Sequence, residues 1–311
     1  MADLSVDSVN AALLSDVARL AVSAGDLIMG VYGRGSDIAI DSKDDDSPLT
    51  EADLLAHEFL FKQLSLLTPS IPILSEEGAL PDYEIRKQWS YYWLIDPLDG
   101  TKEFISRNGE FTVNIALIYQ HRSILGVVYA PVKKVLYKAI NTGGEYDCCI
   151  RAKSVRANMT LMDTDESEQQ LSSDKERYKQ QGQPFRLVLS RHHGAGLVST
   201  LCDDLQEHFG VLTTKALGSS LKLCAVAEGG ADLYPRFGPT SEWDTAAGQA
   251  IVEAAGGEVV TTQLEPLRYN TKNNILNPDF YVLSDKVSKA DSGSGLGAYL
   301  SLLSSFASQA P

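Results

Sequence analysis

Trp93-Leu94-Ile95-Asp96-Pro97-Leu98-Asp99-Gly100-Thr101-Lys102-Glu103-Phe104 is the stretch whose reading decides the fold. An apolar, aromatic run ends abruptly in two aspartates, a Pro-containing turn and a threonine. A strand of that composition is normally buried, and a buried carboxylate must be paired or bound to a metal. Asp96 and Asp99 stand three apart across the turn, so both can face one pocket. The Leu98 carbonyl lies between them as a further hard oxygen donor. Such oxygen clusters suit Mg²⁺ or Mn²⁺ rather than zinc. Taken alone, an Asp-Pro-x-Asp segment is more simply a strand that ends in a solvated turn. Acidic motifs elsewhere in the chain shift that balance.

On the N-terminal side of this stretch, apolar residues recur with helical spacing from Val9 to Val31, and Gly33 and Gly35 end the run. A short strand over Ile38–Ile40 leads into the acidic loop Asp41–Pro48. Thr50 can cap a second helix with Asp53 at its third position, as in a capping box, and Leu60, Leu64 and Leu67 carry its buried face. Ile73-Leu74 reads as a strand running into Ser75-Glu76-Glu77-Gly78. On the other side, strands are expected at Tyr91–Ile95, Phe111–Tyr119, Ser123–Tyr129 and Val135–Ile140, with a hairpin turn at Gln120-His121-Arg122. Residues 1–155 therefore read as an α+β unit with an antiparallel sheet.

Residues 156–184, and Met162–Gln183 above all, are polar with little apolar periodicity, which reads as a linker or surface insertion. Residues 185–311 alternate as an α/β unit: strands at Arg186–Leu189, Ala231–Tyr234, Glu258–Thr261 and Phe280–Leu283. Its helices are expected around Val198–His208, Ser220–Glu228 and Thr245–Ala255, with a terminal helix at Tyr299–Phe306. Gly256-Gly257 is a good helix stop.

Composition bounds the function. The 311 residues are 44% hydrophobic, enough for a sizeable core, and carry a formal charge of −14, which argues against a nucleic-acid partner. An anionic small molecule can still bind if cations and local Lys or Arg reverse the field inside the site. Cys148, Cys149, Cys202 and Cys224 show no metal-ligand spacing, which suggests reduced thiols. The start has neither a basic nor an apolar signal segment, and no stretch is long enough to span a membrane, so a cytoplasmic location is expected.

Three further acidic sites join Asp96 and Asp99. Glu76 and Glu77 follow a short apolar strand, Asp53 opens a helix, and Asp244 opens another within Ser241-Glu242-Trp243-Asp244-Thr245-Ala246-Ala247-Gly248. An Asp at a helix start serves equally as a cap. In this order and spacing the set resembles the inositol monophosphatase superfamily of metal-dependent, lithium-sensitive phosphatases, with D-P-[IL]-D-G-T as first motif and W-D-x-A-A-G as second. The 3'(2'),5'-bisphosphate nucleotidase branch, including its bacterial sulfur-assimilation type, is similar to the chain at Asp46–Asp53 and at Leu74-Ser75-Glu76-Glu77. It is similar again at Lys102-Glu103-Phe104, Gly218-Ser219-Ser220-Leu221-Lys222 and Tyr234–Asp244. The resemblance covers about residues 9 to 285 and implies a layered αβαβα sandwich.

Carried over residue by residue, the resemblance makes Glu76, Asp96, Asp99, Asp244 and the Leu98 carbonyl ligands of two or three Mg²⁺ ions, with Mn²⁺ as a substitute. It makes Asp53 and Thr101 the pair that activates a water for direct in-line attack on phosphorus. It implies substrate contacts from Gly100, at the start of a helix that could offer N–H groups to phosphate, and from Ser219, Ser220, Lys222 and Arg236. His193 is the expected substrate histidine, with His192 as rival because a histidine stands where the family motif has serine. The implied partner is a small phosphorylated nucleotide, adenosine 3',5'-bisphosphate first and 3'-phosphoadenylyl sulfate second. Alternatives are an inositol phosphate 1-phosphatase and a non-catalytic nucleotide sensor; the latter predicts loss of a ligand or of Thr101, and all are present.

Overall fold

The computed structural model describes residues 6–35, 40–42, 48–144, 147–153, 168–170, 184–191 and 196–284. The helical run near the start forms α1 (Ala11–Tyr32), capped by Asn10, whose side chain accepts from the Ala12 and Leu13 amides. A small antiparallel ribbon, β1 (Ile40–Ser42) and β2 (Pro48–Thr50), leads into α2 (Glu51–Leu67). The expected capping box of Thr50 and Asp53 is present.

A seven-stranded sheet follows. It is built from β3 (Ile73–Ser75), β4 (Tyr91–Asp99), β5 (Thr112–Tyr119), β6 (Arg122–Ala130), β7 (Val135–Ile140), β8 (Cys148–Lys153) and β9 (Glu168–Gln170), neighbours in that order. Short helices α3 (Tyr83–Arg86) and α4 (Thr101–Ile105) flank β4. Both faces of the sheet are covered, so its strands read as apolar runs rather than alternating ones. Trp93 and Ile95 pack with α1 and α2, whereas Tyr92 and Leu94 pack on the opposite face.

The second sheet comprises β10 (Phe185–Ser190), β11 (Leu212–Leu217), β12 (Leu233–Arg236), β13 (Glu258–Thr261) and β14 (Phe280–Leu283), in the order β11-β10-β12-β14-β13. Here β10 is parallel to β11 and β12, and β14 is antiparallel to its neighbours. Helices α6 (Leu221–Ala227) and α7 (Glu242–Ala254) share a core with both sheets. Helix α5 (Leu197–Phe209) covers the outer face through Leu201 and Leu205. The layers are thus helix, sheet, helix, sheet, helix, as the resemblance implies.

Several differences from the sequence reading have local causes. The first sheet is not wholly antiparallel, because β3 runs parallel to β4. The polar stretch read as a linker contributes β9, paired to β8; an edge strand is held by backbone pairing and needs no apolar period. Strand β11 was not expected for the same reason: four of its residues are exposed and it is edge-paired to β10. Strand β4 continues past Ile95 to Asp99 across an irregularity. The acidic stretch 43–47 and the terminal helix expected at 299–306 lie outside the described residues.

Helix α7 lies very close to the first sheet. A Cβ on Gly126 would stand 2.2 Å from the Ala247 carbonyl oxygen and 2.9 Å from the Ala250 Cβ, and the Ser123 hydroxyl donates to the Ala246 carbonyl at 2.7 Å. Gly126 therefore sets how near the helix that bears Asp244 comes to the sheet whose strand β4 bears Asp96 and Asp99. Gly126→Ala should lower unfolding free energy by about 1–3 kcal/mol in urea titrations, through overpacking. Gly30→Ala, on an exposed turn of α1 with open space around it, should raise stability by about 0.5–1 kcal/mol. Equal effects of the two substitutions would contradict the close approach.

Candidate active site

The turn after β4 brings the site together. Pairing with β5 runs regularly to Asp96–Asn114, shifts, and resumes at Asp99–Thr112. The shift turns both aspartates toward one cleft of about 320 Å³. The Leu98 amide donates to Asp96 Oδ1 at 3.1 Å, which pins the turn. Gly100 follows with φ +92°, a left-handed conformation that suits glycine. A Cβ there would meet Glu103 Oε2 and Ser219 Cβ at 3.3 Å each.

Glu76 after β3, Asp96 on β4 and Asp244 in the first turn of α7 each offer a carboxylate oxygen within 4.8 Å of the others. Burial, and then the charges of Glu76, Asp99 and Asp244, push the Asp96 carboxyl well above its ordinary value. Burial, Asp99 and Glu76 do the same to Asp244. Left to itself the cluster is electrostatically unfavourable. Its oxygen-only donor set fits a hard divalent cation such as Mg²⁺.

Asp99 lines the same cleft but is held differently. Its Oδ2 accepts from the Ser220 amide at 2.6 Å, the Ser220 hydroxyl at 2.8 Å, Asn114 Nδ2 at 3.1 Å and the Thr112 hydroxyl at 3.4 Å. Ser220 Oγ also contacts the Asp244 carbonyl at 2.7 Å. The Ser220 hydroxyl thus joins Asp99 to Asp244. Asn114 was missed by sequence reasoning. The available signal was an amide side chain inside the apolar run Val113-Asn114-Ile115.

Asp53 is both cap and site residue. Its Oδ2 accepts from the Thr50 amide at 2.8 Å and the Thr50 hydroxyl at 2.5 Å, while Oδ1 accepts from the Thr101 hydroxyl at 3.2 Å. Asp53 is fully buried and Thr101 lines the cleft, so the threonine stands between the carboxylate and the open space.

Lys222 and Arg236 also line the cleft, with Ser219, Ser190 and Tyr234. Both cations are 7% exposed, which excludes ordinary surface charge. Lys222 Nζ donates to the Ser219 carbonyl at 2.6 Å and stands 5.6 Å from the centre of the Tyr234 ring. Burial lowers its pKa, and the charge of Asp99 acts against that. Arg236 donates to the Pro239 carbonyl at 2.7 Å, and its Nε is buried without a protein partner. His193 and His192 lie outside the described residues.

The cluster predicts an unusual stability profile without divalent ions. A carboxyl with a raised folded pKa binds more protons folded than unfolded, so stability falls as pH rises from the ordinary carboxylate range, about 4, through the folded value. In a chelator, urea midpoints should drop as pH rises above the ordinary carboxylate range. Mg²⁺ at neutral pH should restore them, by mass action on the folded state. Asp244→Asn should flatten both responses. A midpoint indifferent to pH and to Mg²⁺ would contradict the cation site. Glu242, which burial raises to about 7, adds to the slope but not to the Mg²⁺ response.

The inositol monophosphatase family pattern matches residues 11–290. The chain is 47% identical over 270 residues to 3'(2'),5'-bisphosphate nucleotidase CysQ of Salmonella typhimurium, covering 87% of this chain and 99% of that one. The protein of the same name from Escherichia coli K12 is 46% identical with the same coverage. In solved structures, CysQ of Bacteroides thetaiotaomicron, described as a bacterial member of the inositol monophosphatase family, superposes with a TM-score of 0.74 at 40% identity. It covers 90% of this chain and 99% of that one. SuhB of Bartonella henselae shares the fold, with a TM-score of 0.69 at 21% identity over 95% and 98% of the two chains. The match spans both sheets and every described carboxylate of the cleft, and on that basis the chain belongs to the inositol monophosphatase family.

Proposed function

We propose that this chain is a Mg²⁺-dependent 3'(2'),5'-bisphosphate nucleotidase that hydrolyses the 3'-phosphate of adenosine 3',5'-bisphosphate to give AMP and phosphate. 3'-Phosphoadenylyl sulfate is a second substrate of the same kind. The observation that carries this reading is the 46–47% identity to CysQ nucleotidases over 270 residues. The chemistry of the cleft supports it. A bisphosphorylated nucleotide brings two anionic groups to one site, and the cleft is lined by both a carboxylate cluster and two buried cations.

In this reading residues 1–155 carry most of the metal ligands, and residues 185–311 carry the nucleotide side and Asp244. Glu76, Asp96, Asp99, Asp244 and the Leu98 carbonyl would hold two or three Mg²⁺ ions. Bound there, the ions supply positive charge to the phosphate oxygens and acidify a nearby water. The Thr101 oxygen accepts a proton from the attacking water while its own proton passes to Asp53 Oδ1. Asp53 stays poised as acceptor because Thr50 orients it through its other oxygen. Water forms the new O–P bond as the bond to the nucleotide 3'-oxygen breaks, with no covalent enzyme intermediate; the departing alkoxide takes a proton from solvent water, and the proton held on Asp53 returns to solvent. Lys222 and Arg236 hold the phosphate that is not cleaved, as point charge and planar fork. None of the four cysteines is in a disulfide, and no helix among the described residues is long and apolar enough to cross a membrane. The cysteines support a reducing, cytoplasmic setting.

Phosphate release should be fastest from adenosine 3',5'-bisphosphate in a panel that includes 3'-phosphoadenylyl sulfate, inositol 1-phosphate and inositol 1,4-bisphosphate. It should require Mg²⁺ and be suppressed by Li⁺. Preference for inositol 1-phosphate would end the nucleotidase reading.

Thr101→Ala should lower turnover by roughly 10²-fold or more with little change in Mg²⁺ affinity, because the carboxylates remain. A large loss of Mg²⁺ affinity with normal turnover at high Mg²⁺ would contradict the relay.

Lys222→Ala should raise KM for adenosine 3',5'-bisphosphate by an amount equivalent to about 1.5–3 kcal/mol, while hardly changing any residual turnover of inositol 1-phosphate. Equal losses on both would place Lys222 with the reacting phosphate or the fold.

A further inference from the structure

Glu110 lies between α4 and β5, outside the carboxylate cluster, and has no part in the chemistry above. Its side chain is 12% exposed. One oxygen, Oε2, accepts from Arg191 Nε at 3.0 Å, from Arg191 Nη2 at 2.9 Å and from the Gly218 amide at 2.9 Å. Lys133 approaches the other oxygen at 3.8 Å. These neighbours hold its pKa low despite burial.

The two partners stand at matching points of the second sheet. Arg191 follows the last residue of β10 and Gly218 follows the last residue of β11, and these strands are parallel neighbours. Ligands of open sheets with parallel strands gather beyond the carboxyl ends of those strands. Ser190 and Ser219, the residues on either side of the clamp points, both line the cleft. A single carboxylate from the first half of the chain thus fixes the ends of two strands from the second half. Gly218 is needed for this approach: a Cβ there would stand 2.6 Å from Glu103 Cγ and 2.9 Å from the Glu110 carbonyl oxygen. From Gly218 the connection runs two residues on to Ser220, whose amide and hydroxyl hold Asp99.

We infer that Glu110 is a positioning residue that clamps the strand ends at Arg191 and Gly218, and so sets the shape of the leaving-group side of the cleft. Strength is not the point. Arg191 is 38% exposed, and an ion pair with so exposed a partner adds little to stability. Its effect lies in where it holds the two strand ends. The inference rests on the nucleotidase reading for its substrate, and has two separable arms. The Arg191 arm holds the end of β10 next to Ser190, which lines the cleft, and bears on binding. The Gly218 arm reaches Asp99 and bears on turnover.

The test is steady-state kinetics of Glu110→Gln, Arg191→Ala, their double variant and Glu110→Ala, with thermal melts to confirm folding. Glu110→Gln keeps an acceptor for the Gly218 amide but removes the charge that Arg191 meets. It should raise KM for adenosine 3',5'-bisphosphate by about three- to five-fold with kcat changed less than about two-fold, the scale of a partly exposed ion pair. Arg191→Ala should match it, and the double variant should be no worse than either single one. Glu110→Ala loses both arms and should also lower kcat, by about ten-fold. Additive losses in the double variant, or folded variants with wild-type KM, would overturn the clamp. A wild-type enzyme inactive on the bisphosphate but active on inositol 1-phosphate would end the nucleotidase reading alone. The same four variants measured on that ester would then decide the clamp.

Discussion

Mutual repulsion among buried carboxylates is the constraint on which this structure turns. Glu76, Asp96 and Asp244 come from three separate elements, and their oxygens gather within 4.8 Å. No single element gains from that arrangement, and burial makes it worse by removing the water that would screen the charges. It persists because the packing that brings the elements together is large. Helix α7 is pressed between two sheets in a shared apolar core, and its close approach at Gly126 leaves Asp244 no room to retreat. The fold thus holds the site in a state that only protonation or bound cations can relieve.

The neighbouring groups divide their hydrogen bonds so that each carboxylate keeps a distinct role. Asp53 gives one oxygen to the helix cap and the other to Thr101. Asp99 gives one oxygen to donors from β5 and from the residue before α6. Lys222 ties its ammonium to the Ser219 carbonyl, where the backbone is left-handed at φ +46°. Local devices that in another protein would only cap a helix or end a strand here fix reactive groups in place. This is why each acidic motif, taken by itself, looks ordinary.

Legibility in the sequence followed the same division. Strands β7, β13 and β14 were readable to the residue because they are short and apolar and end at turn-forming residues. Edge strands β9 and β11 were not, because backbone pairing holds them and their side chains carry no period. The cluster was legible as a pattern of motifs whose elements the fold then gathered. The partners that orient it were not. The Ser220 hydroxyl stands between Asp99 and Asp244, which its motif does not announce, and Asn114 reads as one polar residue in a strand. These contacts join residues 15 to 121 positions apart on separate elements, which no local pattern encodes.

The most direct test of this account is to locate the cations themselves. Crystals grown with Mn²⁺ at neutral pH, measured at a wavelength where manganese scatters anomalously, should show anomalous density among the carboxylates of Glu76, Asp96 and Asp244. Manganese serves because it shares the oxygen preference of Mg²⁺. The density should be lost in Asp96→Asn crystals. Clear maps with no anomalous peak at the cluster, or peaks only at other carboxylates, would contradict the claim that the fold is built to hold a cation there.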